Sequence, residues 1–161
     1  MIKKKWPNQE IQFHIMSKYP TKWVKKLIKY SDVIYVHIEC HEDIERLKKY
    51  VLNKKKKFGI ATTLKTKPSK IKKILNNCSH LLILSVDRPG FSGQRFNTKT
   101  FQYINYFNAI PSRNKFRICV DGGVNKNIVR ILDVDDVVSN SSILGSKEPI
   151  NEINNLKLSD L

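Results

Sequence analysis

Six times along this chain a short apolar run is followed by a segment whose apolar residues recur at helical spacing. Short runs rich in β-branched and aliphatic residues read as strands, and period-3.6 segments read as amphipathic helices. In such an alternation the strands lie parallel, because each helix carries the chain back to the start of the next strand. The predicted strands are IQFHIM (11–16), VIYVHIE (33–39), FGIATT (58–63), HLLILSV (80–86), FRICV (116–120) and DVVSN (136–140). Helices are predicted from about Thr21 to Tyr30 with Pro20 at the start, over HEDIERLKKYVLN, and from near Pro68 through KIKKILNN. Three more are predicted over TKTFQYINYFNAI, near NKNIVRIL, and over PINEINNL. The connections are short and none resembles a linker, so residues 1–161 are predicted to form one α/β domain of parallel βα units.

An open doubly wound sheet and a (β/α)8 barrel share this pattern, and in both the ligand sits beyond the carboxyl ends of the strands. The polar and glycine residues of this chain gather at those ends. Two strand-to-helix loops, RPGFSGQ and VDGGV, carry Gly90 with Gly93 and Gly122 with Gly123. Glycine permits positive φ and removes the side chain that would keep an anion from backbone N–H groups. Tight turn geometry alone would also call for glycine. Two such loops on successive strands, with SNSSILGS after the next, favour a phosphate site. That last segment can supply the short extra helix often found at barrel phosphate sites.

Asp121 ends its strand before two glycines, where a carboxylate can bind a metal, shuttle a proton or simply cap a turn. His14 lies in an apolar strand, opposite in facing to Phe13 and Ile15, and reads as a hydrogen-bonded core residue or a ligand. In HIECH, His37 and Glu39 share a strand face by period 2. His41 reads more simply as a helix-start residue than as the third member of a metal cluster. His80 precedes a buried strand and has no site partner in the sequence.

The formal net charge of +16 raises a nucleic-acid reading. Against it, the excess consists of 24 lysines and only six arginines, spread over helical faces such as KWVKKLIKY. Arginine is the residue suited to forked phosphate and base contacts. The lysines therefore read as solvated surface charge, and nucleic acid is not the expected partner. Three well-separated cysteines, Cys40, Cys78 and Cys119, predict free thiols in a reducing compartment. No apolar run is long enough for a membrane span, and MIKKKWPNQEIQF lacks the apolar core of a secretory leader. A cytoplasmic location is the expectation.

Together the motifs resemble the ribulose-phosphate 3-epimerase family. Its strand-six loop, V-x-P-G-F-G-G-Q-x-F, is similar to VDRPGFSGQRF, with one inserted residue and Ser92 in place of a glycine. Its V-D-G-G-V-N is present as Val120 to Asn125. Its H-L-M is matched by His14, Ile15 and Met16, the following Pro-x-x-W/Y by Pro20 and Trp23, and its H-x-E by His37 and Glu39. Its G-S-A-I corresponds to Asn140 to Ile143, with asparagine in place of the glycine.

The resemblance implies a (β/α)8 barrel that interconverts D-ribulose 5-phosphate and D-xylulose 5-phosphate with a divalent zinc, iron or manganese ion. A carboxylate removes the C3 proton, the metal stabilises the enediolate, and a second carboxylate returns a proton to the opposite face. Carried over, His14 and Asp121 are metal ligands, and Asp121 is also a catalytic acid/base. Met16 lines the reaction centre. Gly90, Phe91, Ser92, Gly93, Gly122, Gly123, Asn140 and Ser141 line the sugar-phosphate cradle. The family's first two strands, S-I-L-S-A-D and H-x-D-V-M-D-G-H, have no counterpart before IQFHIM. The implied fold is thus a partial barrel of six βα units, lacking two metal ligands and one catalytic aspartate, and impaired in isolation. Its exposed strand edges imply a second copy or a complementing chain as partner.

Overall fold

A computed structural model describes residues 2–5 and 7–157. Met1 and Trp6, within the stretch read for a leader, lie outside the described residues. The strands are β1 (Gln12–Ile15), β2 (Val33–His37), β3 (Lys57–Thr63), β4 (His80–Leu84), β5 (Arg117–Asp121) and β6 (Asp136–Val138). The helices are α1 (Ile2–Lys5), α2 (Thr21–Leu27), α3 (Ile44–Asn53), α4 (Pro68–Ile74), α5 (Thr100–Asn108), α6 (Lys126–Val129), α7 (Ser141–Leu144) and α8 (Pro149–Leu156). All six strands pair in parallel in the order β1-β2-β3-β4-β5-β6. The result is a partial barrel with alternating helices, in which β1 and β6 are the outer strands of the sheet.

Alternation along each strand sorts its side chains between two buried layers. Ile34, Val36, Ile60, Leu81, Ile83 and Ile118 point to the helices and join the main core with Val24, Val51, Ile71 and Phe107. On the concave side Val33, Tyr35, Ala61, Leu82 and Cys119 form a second cluster. The Tyr35 ring fills much of that layer. It lies across Gly59, meets His80 edge-on at 5.7 Å between ring centroids, and donates its hydroxyl proton to Gln12 Oε1 at 2.8 Å. Burial in this layer pushes the Tyr35 phenol pKa well up. The concave face is therefore closed by its own side chains although the sheet is open.

Local signals set several helix starts. Asp43 caps α3 by accepting from the Arg46 N–H at 3.1 Å, and Asn125 caps α6 by accepting from Asn127 and Ile128. Pro68 and Pro149 occupy the first turns of α4 and α8, where a missing N–H is harmless. His41 does not start a helix as expected: Asp43 offers the better capping side chain, and α3 begins at Ile44. His41 instead sits in the preceding turn with its ring against Tyr19. Strand β2 also ends two residues early, at His37, with Glu39 in the turn beyond it. The outer strands β1 and β6 are short, and Arg117 grips Asp136 on β6 with two contacts at 2.7 and 2.8 Å. Short, charged edges limit unwanted pairing.

Candidate active site

Strand register brings three loops together at the carboxyl rim. Leu84 pairs with Asp121, and Asp121 pairs with Val138, so the segments leaving β4, β5 and β6 start side by side. They enclose a cavity of about 310 Å³ lined by Gly90–Gln94, Asp121–Val124 and Val138–Ser141, with Met16 from the end of β1. Every residue expected to line the cradle is in that wall. His14 is not; it reaches the cavity through Asp121.

The loops are braced from behind. Ser85 Oγ lies 2.8 Å from the Asp121 carbonyl and 2.5 Å from that of Gly122. Gln94 folds back, accepting from the Arg88 N–H at 3.0 Å and donating to the carbonyls of Arg88 and Phe91. Ser139 donates to the Val124 carbonyl and contacts Ser142 at the start of α7. Gly123, at φ +66°, lets the second loop press against the backbone of Arg95 and Phe96, where a Cβ would not fit. Gly93, at φ +75°, has open space where a Cβ would lie. The two glycines meet different demands: one allows close loop packing, the other only a left-handed backbone.

Beside the cavity, four side chains form a continuous row. Asp121 Oδ2 is 3.2 Å from His14 Nδ1, and His14 Nε2 is 2.8 Å from His37 Nε2. The two rings are stacked at 4.9 Å. His37 Nδ1 is 3.2 Å from Glu39 Oε2. The other Glu39 oxygen accepts from the Thr63 N–H at 3.0 Å, the Thr63 hydroxyl at 2.9 Å and the Thr66 hydroxyl at 2.6 Å. Burial pushes the Glu39 pKa up, but the bonds from His37, Thr66 and Thr63 outweigh it and hold the carboxyl at about 2.

The structure thus joins His14 to both Asp121 and His37, and leaves His41 apart. The H-x-E spacing signalled that His37 and Glu39 share a face. It did not show that they lead to His14, because that contact crosses from β2 to β1. Gln94 is the glutamine of the matched strand-six motif, although the motif did not show that it braces the loop. The bracing contacts of Ser85 and Ser139 are visible only in the structure.

Over residues 2–144 the sequence matches the family model described as "Ribulose-phosphate 3 epimerase family". The chain belongs to the ribulose-phosphate 3-epimerase family. It is 30% identical over 125 residues to the ribulose-phosphate 3-epimerase of Chlamydia muridarum, covering 74% of this chain and 54% of that protein. The enzyme of the same name from Chlamydia pneumoniae is 27% identical over 121 residues, covering 72% and 52%. The chain therefore spans about half the length of the curated relatives it matches. Among solved structures, 3-hexulose-6-phosphate synthase from Salmonella typhimurium superposes with a TM-score of 0.74 at 18% identity. The match covers 96% of this chain and 74% of that one. KGPDC from Streptococcus mutans gives 0.65 at 11% identity, covering 97% and 74%. At these identities the structures speak for the barrel fold.

The metal implied by the family can be tested against the residues present. A catalytic divalent ion ordinarily takes three or more protein ligands. Among the described residues no group of three or more His, Cys, Asp or Glu side chains is arranged to hold one. His14 and Asp121 are two donors, so these residues alone do not make up that centre. Among the described residues no helix is long and apolar enough to cross a membrane.

Proposed function

We propose that this chain binds a pentulose 5-phosphate in the rim cavity and that Asp121 exchanges the proton at C3 of the bound sugar. The observation that carries this reading is the shared wall of the cavity: two glycine-bearing loops, the Asn140–Ser141 turn and one carboxylate, Asp121. In the proposed complex, backbone N–H groups of Gly90–Gly93 and Gly122–Gly123 meet the phosphate, with the Ser141 hydroxyl beside them. The C3 hydrogen lies next to the C2 carbonyl, so its removal gives a resonance-stabilised enediolate. Asp121 Oδ1 or Oδ2 takes that proton as general base and can return it. The reaction assigned on this reading is the interconversion of D-ribulose 5-phosphate and D-xylulose 5-phosphate.

Inversion at C3 needs a proton donor on the opposite face of the enediolate. Among the residues lining the cavity, Asp121 is the one carboxylate. This favours a second reading: sugar-phosphate binding, with exchange on one face and no inversion, until another polypeptide or a second copy of this chain supplies the facing group. One experiment separates the readings. Purified protein is incubated with D-ribulose 5-phosphate in D2O, with and without added Mn2+ or Zn2+. Deuterium at C3 and D-xylulose 5-phosphate are then measured separately. Deuterium together with xylulose product supports full epimerisation, and deuterium alone supports the one-sided reaction. Neither product, with no binding seen by calorimetry, ends the proposal. The variant Asp121→Asn is expected to abolish both signals.

A further inference from the structure

The row Asp121–His14–His37–Glu39 contains more acceptor positions than two neutral imidazoles can satisfy. Each neutral ring has one N–H and one lone pair. Three contacts need filling: Asp121 to His14, His14 to His37, and His37 to Glu39. Two ring protons can fill only two of them. At the third, a nitrogen lone pair faces either a carboxylate or the other ring's lone pair. The His14–His37 contact, at 2.8 Å against 3.2 Å for the two carboxylate contacts, is the shortest and is one that a ring proton fills, so the unfilled contact is at a carboxylate.

The placement of Glu39 decides which contact that is. Its Oε1 is fixed by the hydroxyls of Thr62, Thr63 and Thr66 and by the Thr63 N–H, so the carboxylate cannot turn away from His37. Its low pKa keeps it an acceptor. Asp121 is held less firmly: among the described residues His14 is the one side-chain partner of its carboxylate, which borders the cavity. The unfilled contact therefore falls at Asp121, where other donors have access.

We propose that Glu39 is a positioning residue that, through His37, holds His14 as the Nε2–H tautomer and turns an unprotonated Nδ1 toward Asp121. His37 Nδ1–H donates to Glu39, and His14 Nε2–H donates to His37 Nε2. His14 Nδ1 and Asp121 Oδ2 then form a pair of electron-pair donors beside the cavity. Such control of one imidazole nitrogen by the hydrogen bond of the other is a general property of histidine. The inference rests on the reading of Asp121 as the reactive end of this site, and it gives H-x-E a role that a metal cluster does not.

The test is direct observation of the ring nitrogens by 15N–1H NMR, at about pH 9, far above the ordinary imidazole pKa of about 6.5. The wild-type chain is expected to show protonated Nδ1 on His37 and protonated Nε2 on His14. In Glu39→Gln the amide oxygen takes the Thr63 and Thr66 donors and the amide N–H2 faces His37, so both tautomers are expected to reverse. Thr66→Ala removes a bond to Oε1 alone and is expected to leave both tautomers as in wild type. Protonated His14 Nδ1 in wild type, or unchanged tautomers in Glu39→Gln, would overturn the proposal. Binding of D-ribulose 5-phosphate is read in the same samples from the amide shifts of Gly90–Gly93. Loss of that binding with correct tautomers would count against the proposed function and not against the relay.

Discussion

Replacing Gly123 by alanine tests whether the cavity is held together by contact between loops. Two separate penalties apply. The backbone at φ +66° is left-handed, which costs about 1–2 kcal/mol for a residue with a Cβ. The new Cβ would also lie 2.7 Å from Phe96 Cα and 2.8 Å from the Arg95 carbonyl carbon, and closer still to Phe96 N. Those atoms are backbone and cannot rotate away, so overpacking adds about 1–3 kcal/mol. The expected total is about 3 kcal/mol, a large share of the roughly 5–15 kcal/mol by which domains are stable. Gly93→Ala is the control, because it incurs the first penalty and has no neighbour within 4 Å to incur the second. Urea unfolding measures both. At roughly 2–4 °C per kcal/mol for a chain of this size, heating should separate Gly123→Ala from wild type by about 6–12 °C and Gly93→Ala by about half of that or less. Pushing the loops apart should also weaken sugar-phosphate binding in Gly123→Ala more than its lost stability alone explains. If the two variants are equally destabilised, the close approach of residues 95–96 to Gly123 is not what holds the rim, and the reasoning fails.

The remaining expectations concern the interior and the acidic row. Gly59→Ala places a Cβ 2.5 Å from Tyr35 Cδ1 and should lose about 1–3 kcal/mol. In a Tyr35→Leu background the same change should be much milder, and a strictly additive double-mutant cycle would show that the ring does not lie across Gly59. Glu39 has a folded pKa of about 2 against an ordinary 4.5. Its stabilising contribution is present above about 4.5 and is lost as pH falls toward 2. Acid unfolding of Glu39→Gln, followed by circular dichroism, should therefore show a flatter stability profile than wild type between those values. An identical profile in the two proteins would refute the assignment. Asp121→Asn should leave the melting profile close to wild type while removing C3 deuterium exchange, because its carboxylate has His14 as its side-chain partner and bears on no core contact.

The sequence by itself made the layered βα order legible, because hydrophobic periodicity is local: runs such as HLLIL and FRICV, short and rich in branched apolar residues, read as strands, and the helices between them call for parallel pairing. It also placed Gly90–Gly93, Asp121–Gly123 and Asn140–Ser141 on one rim, since residues at the carboxyl ends of parallel strands share an edge whatever the closure of the sheet. Tertiary structure decided the rest. Whether Gly93 and Gly123 serve alike depends on what stands beside each Cβ position, and that is another loop about thirty residues away in one case and open space in the other. His14 read as a core histidine or a ligand, which the resemblance paired with Asp121, while His37 and Glu39 read only as two residues sharing a strand face. Their joining into a row leading to Asp121 needs the register of β1 on β2 and the turn of β2 toward Thr63. Hydrogen bonds across strands depend on distances of a few tenths of an ångström, which no spacing along one strand can specify.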